Sequence, residues 1–162
     1  MRKVESLRAL LVRAVPSLAD DPAKLASFVD RGRVAVRAGN LSFEYRFTLN
    51  LVIEDYAGDQ DAVIVPIIAW IADNQPELLQ RQDSEPFGFE SEWLATDLHD
   101  LSITIDLTEL VRVTRVAGGV TIEHLADQLP PDHFPGAEDA RLWTGLADNL
   151  VAGMTAIVAS RS

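Results

Sequence analysis

Three histidines, His99, His124 and His133, stand near Asp97, Asp100 and Asp132. These are side-chain types that hold zinc and related ions. Their spacing matches no metal motif, so they read as exposed turn or strand residues. Asp55, Asp59 and Asp61 in EDYAGDQDAV offer oxygens of the kind calcium takes. The full ligand pattern and its terminal glutamate are missing, and helix capping with solvation accounts for them. Glu90 and Glu92 alternate onto one strand face, where two carboxylates could act as a glycosidase pair. With no aromatic sugar platform beside them they read as acidic surface. There is no GxSxG, no HExxH and no phosphate loop, and Gly118-Gly119 reads as a turn. Trp70, Trp93 and Trp143 suit core or interface anchoring better than ligand stacking. The chemistry therefore implies no catalytic residues, no cofactor and no metal.

The elements that would position these groups centre on LSFEYRFTLNLVIEDYAGDQDAVIVPIIAWIADNQPELL, residues Leu41–Leu79. Leu41, Phe43, Tyr45, Phe47, Leu49, Leu51 and Ile53 alternate with Ser42, Glu44, Arg46, Thr48 and Asn50. Such a period of two buries one face and leaves the other to solvent or a partner. Thirteen residues at about 3.3 Å each span roughly 40 Å, long for a small domain, so the excess is expected to project or to pair with another copy. Asp59 or Asp61 caps the next helix. Val63, Ile64, Val65, Ile67, Ile68, Trp70 and Ile71 make that helix apolar nearly all round, which predicts a sandwiched helix. Pro66 conflicts with a helix interior unless it lies near the start or at a bend.

Upstream, Val4, Leu7, Leu10, Leu11, Ala14 and Val15 recur at helical spacing until Pro16. Asp20-Asp21-Pro22 predicts a second, capped helix burying Leu25, Phe28 and Val29 and ending near Gly32. Arg33–Arg37 predicts a short strand, followed by a Gly39-Asn40 turn. Downstream, residues 80–86 read as a polar loop and Phe87–Trp93 as an acidic strand. A turn at His99-Asp100 precedes a half-buried strand over Leu101–Leu107, and Val111–Val116 pairs with Val120–Leu125 across Gly118-Gly119. Residues 126–139 carry Pro130-Pro131 and Pro135-Gly136 and read as a linker. Leu142, Leu146, Leu150, Met154 and Ile157 fit a helical stripe weakened by Gly145 and Gly153, with a strand–turn–strand as the rival. The fold class is α+β, a mixed or antiparallel sheet with one long strand, packed by an N-terminal amphipathic helix and a central apolar helix. Residues 1–125 form the domain, and 126–162 a Pro-rich linker and C-terminal extension.

The chain has 162 residues and no cysteine, which leaves no disulfide framework and no thiolate metal site. No apolar run of about 18 residues indicates a membrane span. Glu5, Arg8 and Arg13 interrupt any signal-peptide core, so cytoplasmic synthesis is expected. The net charge of −11 is unevenly spread. Residues 1–50 hold nine Lys/Arg against five Asp/Glu, whereas residues 51–110 hold one against fourteen. Acidity of this kind disfavours binding to nucleic-acid phosphates. It suits head-to-tail contact between oppositely charged regions of neighbouring copies, as in a ring.

The order of an amphipathic helix, a capped segment, FVDRGRV, LSFEYRFTLNLVIEDYAGD and VPIIAWIADNQPELL resembles the tail completion protein R family of contractile-tailed, peduovirus-like phages. The pattern runs from about Ser6 to Leu79, and Phe89–Leu125 is compatible with it. The tail after Asp139 departs from it. The resemblance implies a virion-tail structural protein, made in the bacterial cytoplasm, that caps the head-proximal end of the tail tube. Implied partners are further copies in a hexameric ring, tail tube and sheath proteins, and a neck or head-completion protein. Expected interface residues are Glu44, Arg46, Glu54, Asp55, Glu85, Phe87, Glu90 and Glu92. The rival reading is a small-ligand-binding or hydrolytic α+β domain, with a pocket between the long strand and the apolar helix.

Overall fold

The computed structural model describes residues 1–83 and 85–126. The readings placed on residues 127–162, including His133, Asp132, Trp143, most of the linker and the helical stripe, lie outside the described residues. Helix α1 (Arg2–Ala14) buries Leu7 and Leu11 completely at the expected helical spacing. Pro16 then opens a short helix α2 (Pro16–Asp20) as its first residue, where its missing N–H costs nothing.

The Asp21-Pro22 signal produces only one 3-10 turn, Pro22–Lys24, with Asp21 Oδ1 accepting the Ala23 N–H at 3.1 Å. The helix expected to follow is instead strand β1 (Leu25–Val36). Leu25 is buried, but Phe28 and Val29 are exposed. Apolar residues at 25, 28 and 29 fit a helix turn, but Leu25 and Val29 also share one face of a strand, and pairing with the next strand decides between them. Gly39, at φ 80°, supplies the left-handed turn residue before β2 (Phe43–Tyr56). Leu41 falls outside that strand and is exposed.

Helix α3 (Asp61–Asn74) begins where Asp59 Oδ1 takes the Asp61 N–H and the Asp59 carbonyl takes that of Ala62. Pro66 is buried inside it. Having no N–H, it leaves the Ala62 carbonyl without its usual donor. The helix is not sandwiched. Val63, Ile67, Trp70 and Ile71 face the core, while Val65 and Ile68 are exposed. Trp70 anchors α3 to α1 by donating its Nε1–H to Ser6 Oγ at 3.0 Å.

Strand β3 (Gly88–Ala95) turns at Thr96-Asp97, not at His99-Asp100, into β4 (Leu98–Val116). The two strands expected over 101–116 are one strand of 19 residues. It turns at Ala117-Gly118 into β5 (Gly119–His124), with Gly118 at φ 86°. The sheet order is β1-β2-β4-β3, every pair antiparallel, with β5 added to β4. Val111 pairs with Phe43 on one side and His124 on the other, so β5 lies on the same side of β4 as β3. Strand β3 takes the first part of β4 and β5 the last.

The helices pack on one sheet face. There Phe47, Leu49, Leu51 and Ile53 of β2 sit directly opposite Leu107, Ile105, Ile103 and Leu101 of β4, all buried. Two bulges keep this face apolar. Between Asp30 and Arg33 an extra residue, with Arg31 at φ 52°, turns the arginines outward and Val34 and Val36 inward. Between Ile53 and Tyr56 a second one, with Asp55 at φ 48°, buries Tyr56 and exposes Glu54 and Asp55.

Candidate functional site

The outer sheet face carries no helix among the described residues. It is built from the polar alternates of β2 and β4, and short hydrogen bonds order it. Thr48 Oγ1 donates to Asp106 Oδ1 at 2.7 Å, and Thr104 Oγ1 to Asn50 Oδ1 at 3.1 Å. Glu44 and Arg46 stand on this face and pair with each other at 2.6 Å. Glu90 and Glu92 sit on the same face of β3, level with Ser102 and Asp100. Glu54 and Asp55 mark the bulge end of β2, where the Asp55 N–H donates to Asp100 Oδ1 at 2.9 Å and its carbonyl accepts from Lys24 Nζ at 3.2 Å. Glu85 is exposed in the loop before β3, and Phe87 packs half-buried against the core. The structure thus gathers Glu54, Asp55, Glu90 and Glu92 at one end of the sheet and sets Glu44 and Arg46 towards the other.

Call the end where β1 begins the near end. Asp55, Asp59, Glu92, Asp97 and Asp100 lie there. Arg33, Arg37, Arg46, Arg112 and Arg115 lie towards the far end, beside Glu44 and Glu123. The linear charge blocks therefore have a partial spatial counterpart. Past the helices, the core face of the far end stays apolar but uncovered, with Val34, Val36, Val120 and Ile122 all exposed. A depression on the outer face of the same end is lined by Ala35, Arg37, Glu44, Arg46, Leu110 and Arg112. It has no converging set of groups with shifted pKa, the mark of a hydrolytic site.

Two buried polar sites were missed in the sequence. Glu109, on β4, is 1% exposed. Its carboxylate accepts the N–H of Arg2 at 3.1 Å and of Lys3 at 3.3 Å, and contacts His124 Nδ1. It thereby caps the first turn of α1 with negative charge. Burial pushes the Glu109 carboxyl up, but the two backbone donors and His124 outweigh it and hold the group below the usual carboxylate range. Gln75 Oε1, beside it, accepts from Lys3 Nζ at 3.0 Å and from the Thr108 N–H at 3.1 Å. Gln75 so fills the stretch of β4 edge left between β3 and β5. No local signal announces Glu109, whose two partners on α1 are over a hundred residues away.

His99 is 2% exposed, not a turn residue, and neither ring nitrogen has a partner. Its ring lies between Trp93, at 4.6 Å, and Tyr56, at 5.4 Å. Tyr56 donates its hydroxyl to the Asp59 carbonyl at 2.9 Å, and burial together with the Asp59 charge pushes its pKa up to about 12. Among the described residues no three His, Asp or Glu side chains are grouped to hold a metal ion. None of the described helices is long and apolar enough to cross a membrane.

The arrangement offers surfaces for contact: a polar face, an uncovered apolar arm and two sheet edges. Comparison with known proteins agrees. No solved structure matches the chain. A curated relative, tail completion protein R of Escherichia phage P2, is 37% identical over 138 residues, covering 82% of this chain and 87% of the relative. The family described as P2 phage tail completion protein R (GpR) matches residues 1–128. The chain therefore belongs to the phage tail completion protein R family.

Proposed function

We propose that this protein completes the phage tail as a ring of identical copies that caps the head-proximal end of the tail tube and offers the head its joining surface. Its membership of the tail completion family over residues 1–128 carries this reading. The cap on a cyclic tube must share the tube's symmetry, and head-to-tail contacts between copies close into rings. Six copies, matched to a six-fold tube, are the proposed state. The partners are the tail tube and sheath proteins below and a neck or head-completion protein above. Residues 1–125 act as the ring-forming unit, with 126–162 as its extension. The protein works by contact rather than by catalysis, consistent with a buried apolar core and an ordered polar face. Glu44, Arg46, Glu54, Asp55, Glu85, Phe87, Glu90 and Glu92 are the proposed contact residues. Mixing purified protein with tail tubes is expected to produce discrete rings at tube ends in electron micrographs. Protein that remains monomeric and never binds a tube end refutes the proposal.

A further inference from the structure

We propose that neighbouring copies join edge to edge, the outer edge of β3 in one copy pairing with the outer edge of β1 in the next. The proposal deepens the ring reading and rests on it. Strand β1 (12 residues) and β3 (8 residues) are the two ends of the sheet path, and among the described residues each pairs on one side only. Open edges of this length present unpaired N–H and C=O groups and usually end up covered, charged or paired. Here they carry exposed apolar residues as well: Phe28 and Val29 on β1, Phe89 and Trp93 on β3.

Direction and register fit a second copy. Because β1, β2, β4 and β3 alternate in direction, a sideways repeat of the protomer brings β3 and the next β1 together antiparallel, as every pair within the sheet already is. Asn50 pairs with Phe28 and with Thr104, and Thr104 pairs with Gly88. Phe28 and Gly88 therefore stand level on the outer face. A Cβ at Gly88 would meet nothing within 4 Å. An aromatic ring across from a glycine fills that space and shields its backbone. The charges agree as well. In that register Glu90 comes level with Ala26, and Glu92 with Lys24, the cation just before β1. Unlike edges of one chain make a head-to-tail contact, the kind that closes into a ring. Main-chain pairing supplies the affinity, and the charges set the partner and direction.

The absence of cysteine gives a clean test. Phe28→Cys is combined in turn with Gly88→Cys, Glu90→Cys and Glu92→Cys in the full-length chain, and each is oxidised mildly on tube ends. Within one copy the two edges are three strand spacings apart, roughly 14 Å. A disulfide needs Cα atoms within about 7 Å, so only links between copies can form. A ladder of covalent multimers in at least one combination is expected, and each cysteine alone should give none. Adding Lys24→Glu to the Phe28→Cys and Gly88→Cys pair, which sets like charge beside Glu92, should reduce the ladder. Rings at tube ends with no ladder in any combination overturn edge pairing and leave the ring reading standing. A covalent dimer from Phe28→Cys alone would mean a two-fold β1–β1 contact and overturns it too. Failure to form rings or bind tubes sinks the ring reading itself.

Discussion

The near and far halves of the sheet share β1, β2 and β4 with the same alternation, yet one is a core and the other an exposed arm. Near the helices, Leu49, Leu51, Ile103 and Ile105 are completely buried. Beyond them, Ile122, on the same face, is 61% exposed. What differs is reach. Helix α3 has 14 residues and, at 1.5 Å each, covers about 21 Å. Strand β4 has 19 residues and, at about 3.3 Å each, runs roughly 60 Å. Gln60 at the start of α3 touches Ser91, level with Leu101, and Gln75 after its end meets Thr108. The cover runs out just beyond: Val111 is the last buried residue of β4. The apolar stripe past that point gains little burial among the described residues.

The sharpest way to break this contrast is a pair of truncations. Leu51→Ala should cost about 3 kcal/mol in denaturant unfolding, within the range for buried leucines. Ile122→Ala in the isolated protein should change stability by about 0.5 kcal/mol or less. Equal losses would show that the far arm is core after all. At the boundary, Glu109→Gln should cost on the order of 2 kcal/mol, since it weakens the cap on the Arg2 and Lys3 N–H groups. Because folding lowers the Glu109 pKa, its contribution is present above the ordinary carboxylate pKa and is lost as pH falls through the lower folded value. The variant's stability should therefore fall less over that acid range than the parent's. Within the near half, Gly58→Ala should cost about 1–2 kcal/mol, because its Cβ would sit 2.6 Å from Tyr56 Cζ. Smallest of all, Val36→Thr on the arm should leave unfolding unchanged while reducing ring formation on tube ends, if the arm serves assembly.

Much of the near half was legible. The alternation of Phe47–Ile53 and Leu101–Leu107 is long enough to force strands, and Pro16 and Asp59 are strong boundary signals. The error at Leu25–Val29 shows the limit of a short window, where capping chemistry at Asp21 was real but tertiary pairing decided what followed. The bulges were not legible, yet they explain why Arg31 and Asp55 avoid the core face. His99 looked like a turn residue beside Asp100, and only rings from two other strands bury it. Of the surface, the acidic near end and the Glu44–Arg46 face were visible in the charge pattern. The sheet edges were not, because an edge is a property of topology rather than of any local run.

The Glu109 cap also orders events in time. The groups it satisfies, at Arg2 and Lys3, are synthesised well before it, and the carboxylate follows 107 and 106 residues later. Loop closure over such separations is the slow part of folding. Helix α1 thus has its opening turn satisfied only once β4 has been made. A chain interrupted before β4 would carry an uncapped α1 and no β3–β4 pairing. The β3 edge, too, takes its place in the sheet only through β4.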